Sequence, residues 1–154
     1  MKKEELSKYI KKYNLPEFKN LNDEFEIGKI DTKQGFYFKD IARAINNKIG
    51  YFAGLLEPAI NPPIPTIHSM VETNNIEKND KETILQLYKK LLYLAHKGYT
   101  LETFAKEKDI TKFINEIWNQ WQNIKKDMKI CMDIITKSWI KEQKQENIKL
   151  SYTG

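Results

Sequence analysis

His68 and Glu72 stand four residues apart, the spacing that puts two side chains on one face of a helix and lets both reach a single metal ion. Two ligands do not complete a coordination shell. Helical di-metal proteins use Glu-x-x-His pairs from two helices, and no such pair occurs in this chain. The pattern therefore predicts a His beside a Glu on the surface, with no metal centre and no cofactor. His96 falls two residues before Gly98, where an imidazolium suits the negative end of a helix dipole. Cys131 lies in the apolar stripe of a helix, where burial keeps a thiol protonated and inert. As the single cysteine it can form neither an intramolecular disulfide nor a thiolate cage.

Asp40, Arg43 and Glu57 are the remaining charged candidates, two near one end of a single predicted helix and one near the other. Arg43 can pair with Asp40 three residues back, which needs no ligand. The chain holds no G-x-S-x-G, P-loop, G-x-G-x-x-G or H-E-x-x-H, so the common signals of a nucleophile, a phosphate cradle or a zinc protease are missing. An enzyme or ligand carrier would have to assemble Arg43, Glu57 and His68 around the proline loop Asn61-Pro-Pro-Ile-Pro65.

Trp118, Trp121, Lys125, Lys126 and Lys129 form the one stretch where aromatic and basic residues interleave, as a nucleic-acid surface requires. The net charge is +5, but Arg43 is the only arginine among 26 basic residues. A chain so short of guanidinium groups has little equipment for reading base edges. The alternative it leaves open is a Lys-rich nucleic-acid-binding accessory protein with little sequence preference. The abundance of Lys, Ile and Asn also fits the drift of an AT-rich genome, which accounts for a pI near 9.1 without any partner.

These residues have to be positioned by helices. At 154 residues the chain suits one domain, with 40% hydrophobic and 31% charged residues and a mean hydropathy of -0.66. Leu6, Tyr9, Ile10 and Tyr13 recur at helical spacing up to Pro16. From Glu24 to Phe38 apolar residues alternate around the turn-forming Asp31–Gly35, which predicts a small β-hairpin. Ile41, Ile45, Ile49, Phe52 and Leu56 trace one helical face capped by Asp40 and ended by Pro58. Gly50 and Gly54 on this helix suggest a close-packed neighbour. Residues 73–80 read as a loop, and Ile84, Leu87, Tyr88, Leu91, Leu92, Leu94 and Ala95 fill a second helix ended by Gly98.

The last element carries Ile110, Ile114, Ile117, Trp121, Ile124, Met128, Cys131 and Ile135 at steps of four and three, the seam of a bundle or coiled coil. Its pattern runs from Asp109 to about Glu146, some 37 residues or roughly 55 Å of helix. That is long for a core of about 15 Å radius of gyration. Trp118, Met132 and Trp139 lie off the seam and widen its apolar surface.

The predicted fold is mainly α: a helical bundle with one long C-terminal helix and a small N-terminal β-hairpin. A single domain is expected over residues 1–146, with a flexible tail over 147–154. No stretch reaches the roughly 20 apolar residues of a membrane span, and residues 1–12 lack a secretory apolar core, so a cytoplasmic location is expected. Missing catalytic motifs and surplus helix favour a non-enzymatic protein-protein interaction module, homodimeric through the long helix.

Overall fold

The computed structural model describes residues 10–30, 37–60 and 66–151, with the backbone alone described for Lys29, His68, Ser69 and residues 144–151. The chain is mainly helical, with α1 (Phe18–Phe25), α2 (Tyr37–Ile60), α3 (Ile67–Asn75), α4 (Lys78–Phe104) and α5 (Glu107–Ser151), and a 3-10 turn at Ile27–Lys29. Residues 10–12 are also helical; the expected helix positions Leu6 and Tyr9 lie outside the described residues. Among the described residues, no helix is long and apolar enough to cross a membrane. The chain groups into two compact units, Met1–Tyr51 with Leu92–Gln122, and Phe52–Leu91 with Asn123–Gly154, so α2, α4 and α5 each supply residues to both.

The apolar seam of α5 is buried at every position, from Ile110 to Ile135, with no member more than 5% exposed. α5 begins at Glu107 and takes in residues 147–151 of the expected tail; residues 152–154 lie outside the described ones. In the first unit Ile110, Ile114, Ile117 and Trp121 are buried together with Leu21, Ile41, Ile45 and Leu94. In the second, Ile124, Met128, Cys131 and Ile135 are buried together with Leu56, Val71, Ile84 and Leu87. The face predicted for α2 is buried at Ile41, Ile45, Ile49 and Leu56, while Phe52 is half-covered and Ala53 takes the inner position.

The β-hairpin expected over residues 24–38 does not form, and no described residue lies in a strand. Phe25 ends α1, Glu26 takes the left-handed conformation at φ 54° and donates its N–H to the Asn22 carbonyl, and Ile27 opens the 3-10 turn. Gly28 N–H donates to Asn22 Oδ1 at 2.6 Å and closes the corner. The left-handed residue turns the chain back between Phe25 and Ile27, so both point inward, 4% and 1% exposed. A spacing of two thus arises at a helix end without any strand. Phe38 stands in the first turn of α2, and residues 31–36 lie outside the described ones.

Further helix boundaries also move, beginning with α2, which starts at Tyr37 and leaves Asp40 inside its first turn instead of capping it. α2 runs through Pro58 to Ile60, because a proline near a C-terminus costs one N–H bond while the buried Ala59 beyond it still packs. α3 continues to Asn75, so the segment read as a loop over 73–80 shrinks to Ile76 and Glu77, with Ile76 buried. Gly98 does not stop α4. It lies inside that helix against Asn46 of α2, and a Cβ there would overlap the Asn46 amide. The close-packed neighbour expected at Gly50 and Gly54 is not there: a Cβ would meet only Tyr99 Oη at 3.9 Å from Gly50 and nothing within 4 Å of Gly54.

Gly98 and Gly54 should therefore answer alanine with opposite signs. Gly98→Ala forces the Asn46 amide or its helix to shift and should cost about 1–3 kcal/mol. Gly54→Ala gains helix propensity without a clash and should stabilise by about 0.5–1 kcal/mol. Urea unfolding midpoints check both, and Asn46→Ala should relieve most of the Gly98→Ala penalty if the overlap causes it.

Candidate functional site

Arg43 is engaged from two sides within the first unit. Its Nε donates to Glu102 Oε1 at 2.7 Å, Nη2 lies 2.6 Å from the same oxygen, and Nη1 donates to Asp40 Oδ1 at 2.9 Å. The Glu102 hydrogen bond and charge, with a smaller contribution from Asp40, hold the guanidinium above its ordinary value. Asp40 lies in the first turn of α2, where its charge suits the positive helix end. Glu57 is exposed in the second unit and accepts a hydrogen bond from Tyr88, whose phenol is raised mainly by burial and further by that carboxylate. Arg43 and Glu57 belong to different units, and each has its own partner there.

The His68 side chain and the proline loop at 61–65 lie outside the described residues. Glu72 is not on the surface: it is 3% exposed, and its Oε1 accepts the indole N–H of Trp139 at 3.0 Å. Among the described residues no three His, Cys, Asp or Glu side chains converge as a metal would require. His96 is exposed inside α4, with Nδ1 2.8 Å from the Leu92 carbonyl, and serves no helix end because α4 continues to Phe104.

The Trp and Lys stretch of α5 divides by burial. Trp121 is fully buried; its Nε1 donates to Glu24 Oε2 at 2.8 Å and its ring lies 4.6 Å from that of Phe25. A base cannot stack on it. Trp118 and Lys125 are half-buried, while Lys126 and Lys129 are exposed. The interleaved pattern is therefore a core indole beside a solvated lysine face. Met132 and Trp139 are half-buried as well, with Trp139 tied to Glu72 inside the second unit.

Among the described residues, two grooves open in the second unit. A groove of about 580 Å³ runs between Thr83, Gln86, Leu87 and Lys90 of α4 and Asp127, Ile130 and Cys131 of α5. The α4 positions step by three, one and three, a single helical stripe. Ile130 is 45% exposed. A smaller groove of about 200 Å³ is lined by Ile67, Met70, Val71, Asn74 and Glu142. Ile67 and Met70 are 82% and 52% exposed. Ile130 was detectable in the sequence as an apolar residue one position off the seam; the opposing charges of Lys90 and Asp127 were not, because only the fold brings them to one groove.

Cys131 forms part of the groove floor, yet burial, aided by the charge of Asp127, pushes its thiol up to about 11. Such a sulfur is no nucleophile near neutrality. The chain matches no protein-family model, no curated protein and no solved structure.

Two measurements check this geometry. A disulfide reagent should react slowly with Cys131 at pH 8 in the native protein and rapidly in denaturant; the native rate should climb about tenfold per pH unit toward pH 11, because only the thiolate attacks. Trp139→Phe keeps an aromatic ring, though a smaller one, and removes the donor facing the buried Glu72; it should cost about 1–3 kcal/mol in denaturant unfolding without loss of the helical spectrum.

Proposed function

We propose that this protein is a non-enzymatic helical interaction module that acts by protein-protein contact, first with a second copy of itself. The observation that carries the reading is the apolar surface of the second unit, where Ile67, Met70, Ile130 and Ile140 are each about half exposed or more. Ile67 and Met70 are neighbours on one face of α3 and border the smaller groove; Ile130 borders the larger. Exposed apolar side chains that adjoin, as Ile67 and Met70 do, mark contact surfaces more often than scattered ones do. The groups best suited to chemistry support the same reading, since Arg43 is held by Asp40 and Glu102, Glu57 by Tyr88, Glu72 by Trp139, and the Cys131 thiol is protonated. A buried free cysteine also suits the reducing cytoplasm.

Light scattering coupled to gel filtration tests this. The native protein should approach about twice its 18.3 kDa chain mass at tens of micromolar and fall toward the chain mass on dilution. One chain mass at every concentration up to the millimolar range would end the self-association reading.

A further inference from the structure

We infer that the groove between α4 and α5 in the second unit receives a second copy of this chain about a two-fold axis, with Lys90 of each protomer facing Asp127 of the other. The inference rests on the self-association proposed above and adds where and how the copies meet.

The groove is lined by the buried Leu87 and Cys131 and by the exposed Ile130 on its α5 side, with one charge of each sign beside them. Lys90 stands on the α4 bank and Asp127 on the α5 bank, both half-buried. Neither side chain is held in an ion pair or a hydrogen bond by another described residue. Elsewhere the described salt bridges join residues such as Arg43 with Glu102 and Lys97 with Glu116. A cation and an anion left open beside exposed apolar surface are a recognition pattern, and their signs select the partner.

A phosphate backbone or an acidic peptide would gain from Lys90 and be repelled by Asp127. A basic segment would meet the reverse. A second copy satisfies both, because a two-fold axis lying in the plane of the face and passing midway between the two residues exchanges their positions. Each Lys90 then meets the partner's Asp127, and the pair forms twice. The same rotation brings Ile130 of each protomer toward the other groove. A groove between two helices accepts a helical ridge, and the exposed Ile130 makes α5 such a ridge.

Charge reversal tests this with three samples. Lys90→Glu alone sets two acidic groups against each other at both contacts, and Asp127→Lys alone sets two basic groups there. Each should raise the dimer dissociation constant by at least about tenfold. An equimolar mixture of the two variants has opposite charges at both contacts and should recover the native dimer mass. Recovery requires the contact to lie between chains, since mixing changes nothing within one chain.

Circular dichroism of each variant verifies the fold; if either unfolds, Ile130→Ser replaces it and must weaken the dimer at least about tenfold. Single variants that stay as dimeric as the native protein overturn the groove while leaving self-association standing. Folded single variants that separate but do not recombine in the mixture overturn it too. A native protein that is monomeric throughout removes the self-association and the groove with it.

Discussion

An indole N–H taken out of water must find an acceptor, and the backbone carbonyls of a long helix are already committed to its own ladder. α5 carries Trp121, fully buried, and Trp139, half-buried, so each needs an acceptor from another element. Glu24 supplies one from α1 and Glu72 the other from α3. These helices have only 8 and 9 residues, lengths at which a helix is marginal in water. They persist because the hydrogen bond fixes their register on α5 and apolar neighbours complete the contact. Leu21 and Phe25 flank Glu24 at a helical turn or less and are buried; Val71, adjacent to Glu72, is buried too. In each unit a polar requirement of a large apolar residue decides where a short helix docks.

The same dependence separates what the residue pattern reveals from what it hides. The seam of α5 is legible because its members obey one period over seven helical turns, and only burial of a single stripe produces such a run. Local signals mislead where tertiary contact supplies the reason for a residue. Gly98 resembles a helix stop, yet it is small because the Asn46 amide presses on it from α2, and no window of sequence contains both residues. Phe25 and Ile27 resemble a strand, yet Glu26 at positive φ between them turns a helix end inward. Residues 73–80 are polar enough to read as a loop, but Asn75 earns its place in α3 through its side-chain amide, which donates to Glu142 of α5 at 2.7 Å.

Site residues follow the same logic. Arg43 and Glu57 stand out in sequence because charged groups on an otherwise apolar helix invite a ligand. Each instead finds a protein partner, Glu102 and Tyr88, that lies far away along the chain. Trp121 beside three lysines has the composition of a stacking platform, but a helix turns neighbouring residues to different faces, so the indole goes in and Lys126 and Lys129 stay out. The groove charges on α4 and α5 gave no sequence signal, since Lys90 and Asp127 are unremarkable members of helices rich in both signs. Their meaning is relational and exists only after folding.

The division of labour among the cations follows from their chemistry. The one guanidinium, Arg43, is spent inside the first unit, where a planar fork can hold two carboxylates at once. The open bank of the groove carries a lysine, a hydrated point charge on a flexible stem. Such a rim charge steers encounter and rejects wrong partners more than it adds affinity. Affinity in the proposed dimer has to come from the apolar lining, where fully burying Ile130 and Leu87 is worth about 1.5–3 kcal/mol each at most, counted twice by symmetry. Since both are already partly or wholly covered in one chain, the gain is a fraction of that, against an association cost of several kcal/mol. The arithmetic places such a dimer among reversible assemblies governed by protein concentration, in which charge sets who binds and apolar burial sets how long.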